Sequence, residues 1–164
     1  MAGVPAVFDR LLLLTGRLNY VWTNTESVLI HVMAGLLGTD KERAVVVFLT
    51  LNTTRARIDL VERLAKLDTC PEPARDAILD CTQRLVRLSH VRNRYNHCIY
   101  SFDTESGSAR TILMRIADRK TDIRLGRSDA IDDDEVQKIE ETIDRLAAIN
   151  ADLWALIKRF AYPV

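Results

Sequence analysis

Apolar residues recur along most of the chain in alternating steps of three and four, the spacing that gathers side chains on one face of an α-helix. Over residues 5–37, Leu11, Leu18, Trp22, Leu29, Val32 and Leu36 form such a stripe. Pro5 suits a first helical turn, Gly38 a stop, and Thr39-Asp40 the cap of the next segment, while Gly16 offers a place to bend or split. A second stripe of Ala44, Val47, Phe48, Leu51, Ile58, Val61 and Leu64 predicts helix over residues 41–67. Asn52-Thr53-Thr54 weakens its middle, so that it is either kinked or two segments. After a loop over residues 68–73, a third stripe reads Ala74, Ile78, Cys81, Leu85, Leu88, Arg92, Tyr95, Ile99 and Phe102. It predicts one helix from about Pro73 to Tyr100 or Phe102, with Arg92 standing where an apolar residue was due.

The period then changes from helical to two. Ile112, Met114 and Ile116 share one face of residues 110–117, and Ile123 and Leu125 match them from residues 121–125. A short β-hairpin joined by Asp118-Arg119-Lys120 is expected there, after a turn-rich loop at residues 103–107. The last helix opens at Asp132-Asp133-Asp134-Glu135, whose charges complement its N-terminal dipole. Its stripe is Val136, Ile139, Ile143, Leu146, Asn150, Leu153, Ile157 and Phe160, with Asn150 as the one polar member, a residue that either sits buried in the seam or fixes a pairing register. Together these patterns predict an all-α fold. It is a single domain over residues 1–164, an antiparallel bundle of four to five helices with a short β-hairpin before the last.

Composition narrows the function classes. The 164 residues are 48% hydrophobic, enough for a sizeable core, and 6 Gly with 4 Pro argue against an all-β design. Basic and acidic side chains cancel at 23 each, so no global positive field marks a nucleic-acid binder. Cys70, Cys81 and Cys98 form no Cys-x-x-Cys pair, which speaks against a zinc clip or a disulfide framework. Residues 1–10 do not read as a signal peptide, and the longest uncharged apolar stretch, residues 27–39, is too short for a bilayer. A cytoplasmic protein without membrane contact is expected.

The chemistry gathers at the end of the third helix, Ser89-His90-Val91-Arg92-Asn93-Arg94-Tyr95-Asn96-His97-Cys98-Ile99-Tyr100. Helical spacing puts Asn93 and His97 one turn apart on one face, with Ser89 and Tyr100 along the same stripe and Arg92 beside Asn93. A guanidinium carries five fixed donors suited to phosphate, and an imidazole moves protons near neutral pH. Residues 82–97 hold four arginines (Arg84, Arg87, Arg92, Arg94) and no acid, which makes one basic helix face within a neutral chain. His90 lies two turns from His97, about 10 Å along the axis, too far to share a metal ion.

This arrangement resembles the HEPN superfamily, whose signature is an Arg, usually followed by a polar residue, then a His after four to six intervening residues. Arg92-Asn93-Arg94-Tyr95-Asn96-His97 fits its shortest form, late in a long helix of an all-α bundle. The resemblance implies RNA cleavage without a metal or other cofactor, by attack of a ribose 2′-hydroxyl on the adjacent phosphate. It also implies a homodimer that pairs two motifs. His97 would be the general acid or base, Arg92 would stabilise the charged phosphorane and Asn93 would assist. Glu26, Asn96 and Tyr100 are the supporting candidates, with Glu26 expected to pair with Arg92 or His97. HEPN domains are often toxins with an antitoxin partner, stress nucleases or antiphage effectors. Some are inactive, so a silent interaction or nucleotide-binding module is the rival expectation. Two positions depart from the family: Cys98 stands where a small residue is frequent, and Tyr100 is three rather than two residues past the histidine.

Outside the motif, Trp22 and Trp154 read as core anchors, and Arg55, Arg57, Glu62 and Arg63 as a solvated helix face.

Overall fold

The computed structural model describes residues 6–103, 108–114, 117–118, 120–124, 126 and 128–164. Within these the protein is mostly helical, with a small antiparallel sheet before the last helix. In order the elements are α1 (Ala6–Leu37), α2 (Lys41–Thr50), α3 (Thr54–Ala65), α4 (Glu72–Asn96), β1 (Cys98–Phe102), β2 (Ala109–Leu113), β3 (Ala117–Asp118), β4 (Ile123–Arg124), β5 (Ser128–Ala130) and α5 (Asp133–Arg159).

The helix boundaries follow local chemistry. α1 runs unbroken through Gly16 and stops at Gly38, whose φ of 61° lets its N–H and that of Thr39 turn back onto the carbonyls of Gly35 and Ala34. Asp40 then caps α2 by accepting from the Arg43 N–H at 2.8 Å, and Thr53 caps α3 through the Ala56 N–H. The weak middle of the second stripe is therefore a true break between two helices. Asp132 accepts from the Glu135 N–H at 2.9 Å and starts α5 where the acidic run predicts. The first-turn role expected of Pro5 lies outside the described residues.

Two compact units divide the chain, one drawn from Met1–Tyr20 and His90–Ile143, the other from Val21–Ser89 and Asp144–Val164. The first buries Leu11, Leu14 and Leu18 of α1 with Tyr95, Cys98, Val136 and Ile139, and Phe8 meets Phe102 with ring centres 5.0 Å apart. The second buries Trp22, Leu29, Val32 and Met33 with Ile58, Val61, Ile78, Leu85, Leu146 and Leu153. No helix among the described residues is long and apolar enough to cross a membrane.

Four expectations need correction. α4 ends at Asn96, not at Tyr100 or Phe102, because Cys98-Ile99-Tyr100-Ser101-Phe102 pairs antiparallel with β2, from Cys98 opposite Leu113 to Phe102 opposite Ala109. β-Branched and aromatic residues fit that pleated surface better than a last helical turn. The main sheet is thus β1-β2-β5, with β2 central, and the expected hairpin survives only as β3 against β4, where Ala117 faces Arg124 and Asp118 faces Ile123. Ile116, Arg119 and Leu125 of that hairpin, and residues 104–107 of the loop, lie outside the described residues. On α5 the buried seam passes through Ile149 rather than Asn150, which is half-buried and donates to Thr25 Oγ1 at 3.5 Å. Trp22 is a core residue, but Trp154 is 42% exposed and leans on His31, whose Nδ1 lies 2.8 Å from the Pro163 carbonyl.

The chain's end packs tightly over α1. A side chain at Gly35 would overlap the Tyr162 ring. Gly→Ala inside a helix ordinarily gains about 0.5–1 kcal/mol, whereas overpacking costs about 1–3 kcal/mol. Gly35→Ala is therefore expected to lower the urea midpoint, and to raise it once Tyr162 is also replaced by Ala. A stabilising single variant would show that Tyr162 does not hold this position.

Candidate functional site

His97 is the one residue between α4 and β1. Its N–H donates to the Asn93 carbonyl at 3.1 Å, closing the helix, and its carbonyl accepts from the Met114 N–H at 3.0 Å, opening the sheet. Its backbone is clamped from both sides, and its imidazole is exposed. Among the described residues no hydrogen bond or ion pair engages that ring.

One turn back, Arg92 is half-buried at the edge of the α4 seam. Its Nη1 donates to Asn93 Oδ1 at 3.1 Å. The Asn96 amide satisfies its neighbours in one orientation, with Oδ1 accepting from Arg92 Nε at 2.8 Å and Nη2 at 3.1 Å while its nitrogen donates to Asn19 Oδ1 at 2.8 Å. Asn19 in turn donates to the Thr15 carbonyl, one turn earlier on α1. These amides orient the guanidinium. Asn93 itself is exposed, on the same face as His97.

Of the expected site residues, then, Arg92, Asn93 and Asn96 form one bonded group beside the exposed His97. Tyr100 does not join them. It points from β1 to donate to the Tyr95 carbonyl at 2.5 Å and lies 3.5 Å from Thr15 Oγ1. Burial raises its phenol above the ordinary value, so it acts as a neutral donor. Glu26 belongs to the other unit, where Arg57 Nη1 and Trp22 Nε1 donate to it at 3.0 and 3.2 Å. The partner expected for it, Arg92 or His97, is replaced by Arg57.

Arg57 and Asn19 are the residues that sequence reasoning missed. Arg57 is no part of a solvated face: it lies over the Phe48 ring, and its Nε donates to the Phe48 and Leu51 carbonyls at the end of α2. A basic residue just after a helix break, near carbonyls left without partners, was the available signal. Asn19 carried none, since a polar residue flanking Leu18 reads as ordinary helix surface.

On the other face of the α4 end, Arg94 bridges Asp129 and Glu135 at 3.2 and 3.1 Å, and the Tyr95 hydroxyl donates to Glu135 at 2.6 Å. Arg94, Asp129 and Glu135 of this network line a depression of about 440 Å³ that also includes Thr111 and Asp132. Arg92 and His97 are not among its described lining residues. The buried Cys81 thiol is a poor nucleophile, since burial pushes it up to about 11. Among the described residues no three His, Cys, Asp or Glu side chains converge as a metal set.

Two measurements check these charges. Removing one member of a buried pair costs about 3–5 kcal/mol, so Arg57→Ala should fall in that range by urea denaturation, with much of the loss restored when Glu26→Gln is added. An unchanged midpoint would mean that Glu26 is solvated.

For Glu135, burial opposes ionisation, but the Tyr95 hydroxyl, Lys138 and Arg94 together outweigh it and hold the carboxyl below its ordinary 4.5. A lowered folded value contributes stability that is complete above the unfolded value and is lost as pH falls through the folded one. Wild type should therefore lose stability below about pH 4.5 more steeply than Glu135→Gln, in melts across pH 3 to 7. Parallel curves would disprove the coupling.

No protein-family model, curated protein or solved structure matches this chain.

Proposed function

We propose that the protein is a HEPN-like endoribonuclease that cleaves RNA without a metal ion and works as a homodimer. One observation carries this reading: at the end of α4 the Arg92 guanidinium is held by the neutral amides of Asn93 and Asn96, beside an exposed His97 whose backbone is pinned between helix and sheet. Phosphoryl chemistry asks for this pair of properties. A positioned guanidinium stabilises charge that develops on the phosphorane oxygens, and an imidazole on a fixed backbone moves the proton.

In the proposed step a ribose 2′-hydroxyl gives its proton to His97 and attacks the adjacent phosphorus. Arg92 stabilises the phosphorane while Asn93, exposed on the same face, helps hold the phosphate oxygens. The P–O bond to the 5′-oxygen then breaks, and the leaving oxygen takes a proton from an imidazolium. A second copy of the chain supplies that second imidazole, which leaves a 2′,3′-cyclic phosphate and a 5′-hydroxyl. Asn96 and Asn19 serve the step only through Arg92.

A second reading, a catalytically silent phosphate-binding module, is favoured by the same bonds. Arg92 Nε, Nη1 and Nη2 all make hydrogen bonds within the chain, so the guanidinium also holds the end of α4 together.

The variants separate the two. His97 is exposed and contributes little packing, so His97→Ala should leave the melting temperature nearly unchanged while cleavage of single-stranded RNA falls by about 10²–10⁴. Arg92→Ala should lose cleavage and also stability, because it frees both amides. Wild-type cleavage should persist in EDTA. A wild type that cuts no RNA, with Arg92→Ala still destabilised, would leave the silent module as the reading.

A further inference from the structure

Helix α1 is apolar on two sides. Leu11, Leu14 and Leu18 are buried on one, while on the other Leu13 is 65% and Tyr20 69% exposed, with Leu12 at the flank. At about 100° per residue, Asp9, Leu13, Gly16 and Tyr20 share that second side as one strip. A helix apolar on both sides is ordinarily covered on both. Gly16 is the second anomaly. Glycine weakens a helix interior, yet this one has no positive φ, and a side chain there would meet nothing of the chain within 4 Å. Neither the backbone nor the packing of a single copy explains it. The third anomaly is polar: among the described residues Asp9, Arg17 and Tyr20 make no hydrogen bond or ion pair. A first-turn carboxylate suits the helix dipole, but Asp9 is left without a counter-charge, since the adjacent Arg10 is tied to Glu140 at 2.9 Å.

We propose that this strip docks a second copy of the chain, antiparallel along α1, about a two-fold axis at the Leu14–Thr15 bond. Positions 13 and 16 are equally distant from that bond, and so are positions 9 and 20. The symmetry therefore sets Leu13 against Gly16 of the partner subunit and Asp9 against Tyr20 of the partner subunit, each twice, as an isologous interface requires. Gly16 becomes the notch that admits a leucine and lets two backbones approach. Each Asp9 faces a tyrosine hydroxyl and lies within one turn of Arg17 of the partner subunit, so the donors left idle in one copy meet the acceptor left idle in the other. The strip spans about 17 Å of helix, a small interface, which places association in the micromolar range. Thr15 and Asn19, beside Gly16 and Tyr20, lead on to Asn96 and Arg92, so docking also fastens the turn of α1 that orients the guanidinium. The inference goes beyond the nuclease reading, because it stands on the surface of α1 whether or not RNA is cut.

The test is light scattering after size exclusion on the full chain, loaded at about 100 µM and diluted stepwise. Wild type should run at twice 18.6 kDa at the highest concentration and dissociate on dilution. Gly16→Leu separates docking from folding. A single copy has room for the side chain, so its melting temperature should match or exceed wild type, while the dimer dissociation constant rises at least about tenfold. Asp9→Arg should weaken association, and adding Arg17→Asp, which exchanges the charges across the two-fold, should recover most of the loss. Val46→Arg puts a charge on an exposed apolar residue of α2 and should change the constant by less than about twofold. A wild type that stays at 18.6 kDa at about 100 µM would overturn the contact and leave the strip to a different protein. A dimer that ignores Gly16→Leu, that gains nothing from the charge exchange, or that is weakened as much by Val46→Arg would overturn it too, with the nuclease reading untouched. A dimer that Gly16→Leu breaks, in a protein that cuts no RNA, would leave the contact standing and remove only the nuclease reading.

Discussion

The candidate site depends on a single hand-over in the chain. α4 makes its last backbone bond from the His97 N–H to Asn93, and the sheet makes its first from the Met114 N–H to His97. With no residue to spare between helix and strand, His97 cannot shift along either element without breaking a bond in the other. The side chain is left exposed at that point, while the preceding turn packs Tyr95 inward and leaves Arg92, Asn93 and Asn96 on the rim. An exposed side chain on a surface helix would ordinarily be mobile. This one stands on a backbone fixed by two kinds of secondary structure.

The same hand-over marks the limit of what the sequence made legible. Helices α1 and α5 and the caps at Gly38, Asp40 and Asp132 could be read directly, because each rests on local chemistry: a left-handed glycine, a carboxylate accepting an N–H, an unbroken three-four stripe. The end of α4 could not. Tyr95, Ile99 and Phe102 continue the helical period, and no Gly or Pro interrupts residues 93–102. The strand wins through pairing with β2, a contact with residues 109–113 that no local pattern records. Within the site, Arg92 was legible as an anomaly in an apolar seam, and its amide partners Asn93 and Asn96 lie within its own turn. The partner of Glu26 was not, because Arg57 reaches it only through the break between α2 and α3.

The four arginines of α4 show how little charge counting alone decides. Arg84 is spent on Asp80 and Asp152, and Arg94 on Asp129 and Glu135. Arg92 is oriented by amides, and Arg87 makes no bond among the described residues. Their spacing in the sequence is similar, and their fates follow from what each meets across the helix surface: carboxylates for two of them, amides for one, solvent for the last. An arginine bonded to carboxylates is mainly structural, since an incoming phosphate must first displace an acid. One bonded to amides loses its freedom to move.

This division of labour also bears on why a neutral chain could act on a polyanion. Long-range steering needs an excess of positive charge over a large surface, and 23 basic residues against 23 acidic ones do not supply it. What remains is short-range capture, within a Debye length of about 8 Å at physiological salt. Such a surface gains affinity only where its charges are locally unopposed and its grooves let the strand approach closely. Under the proposed ribonuclease reading, selectivity then comes from geometry near the strand rather than from attraction at a distance.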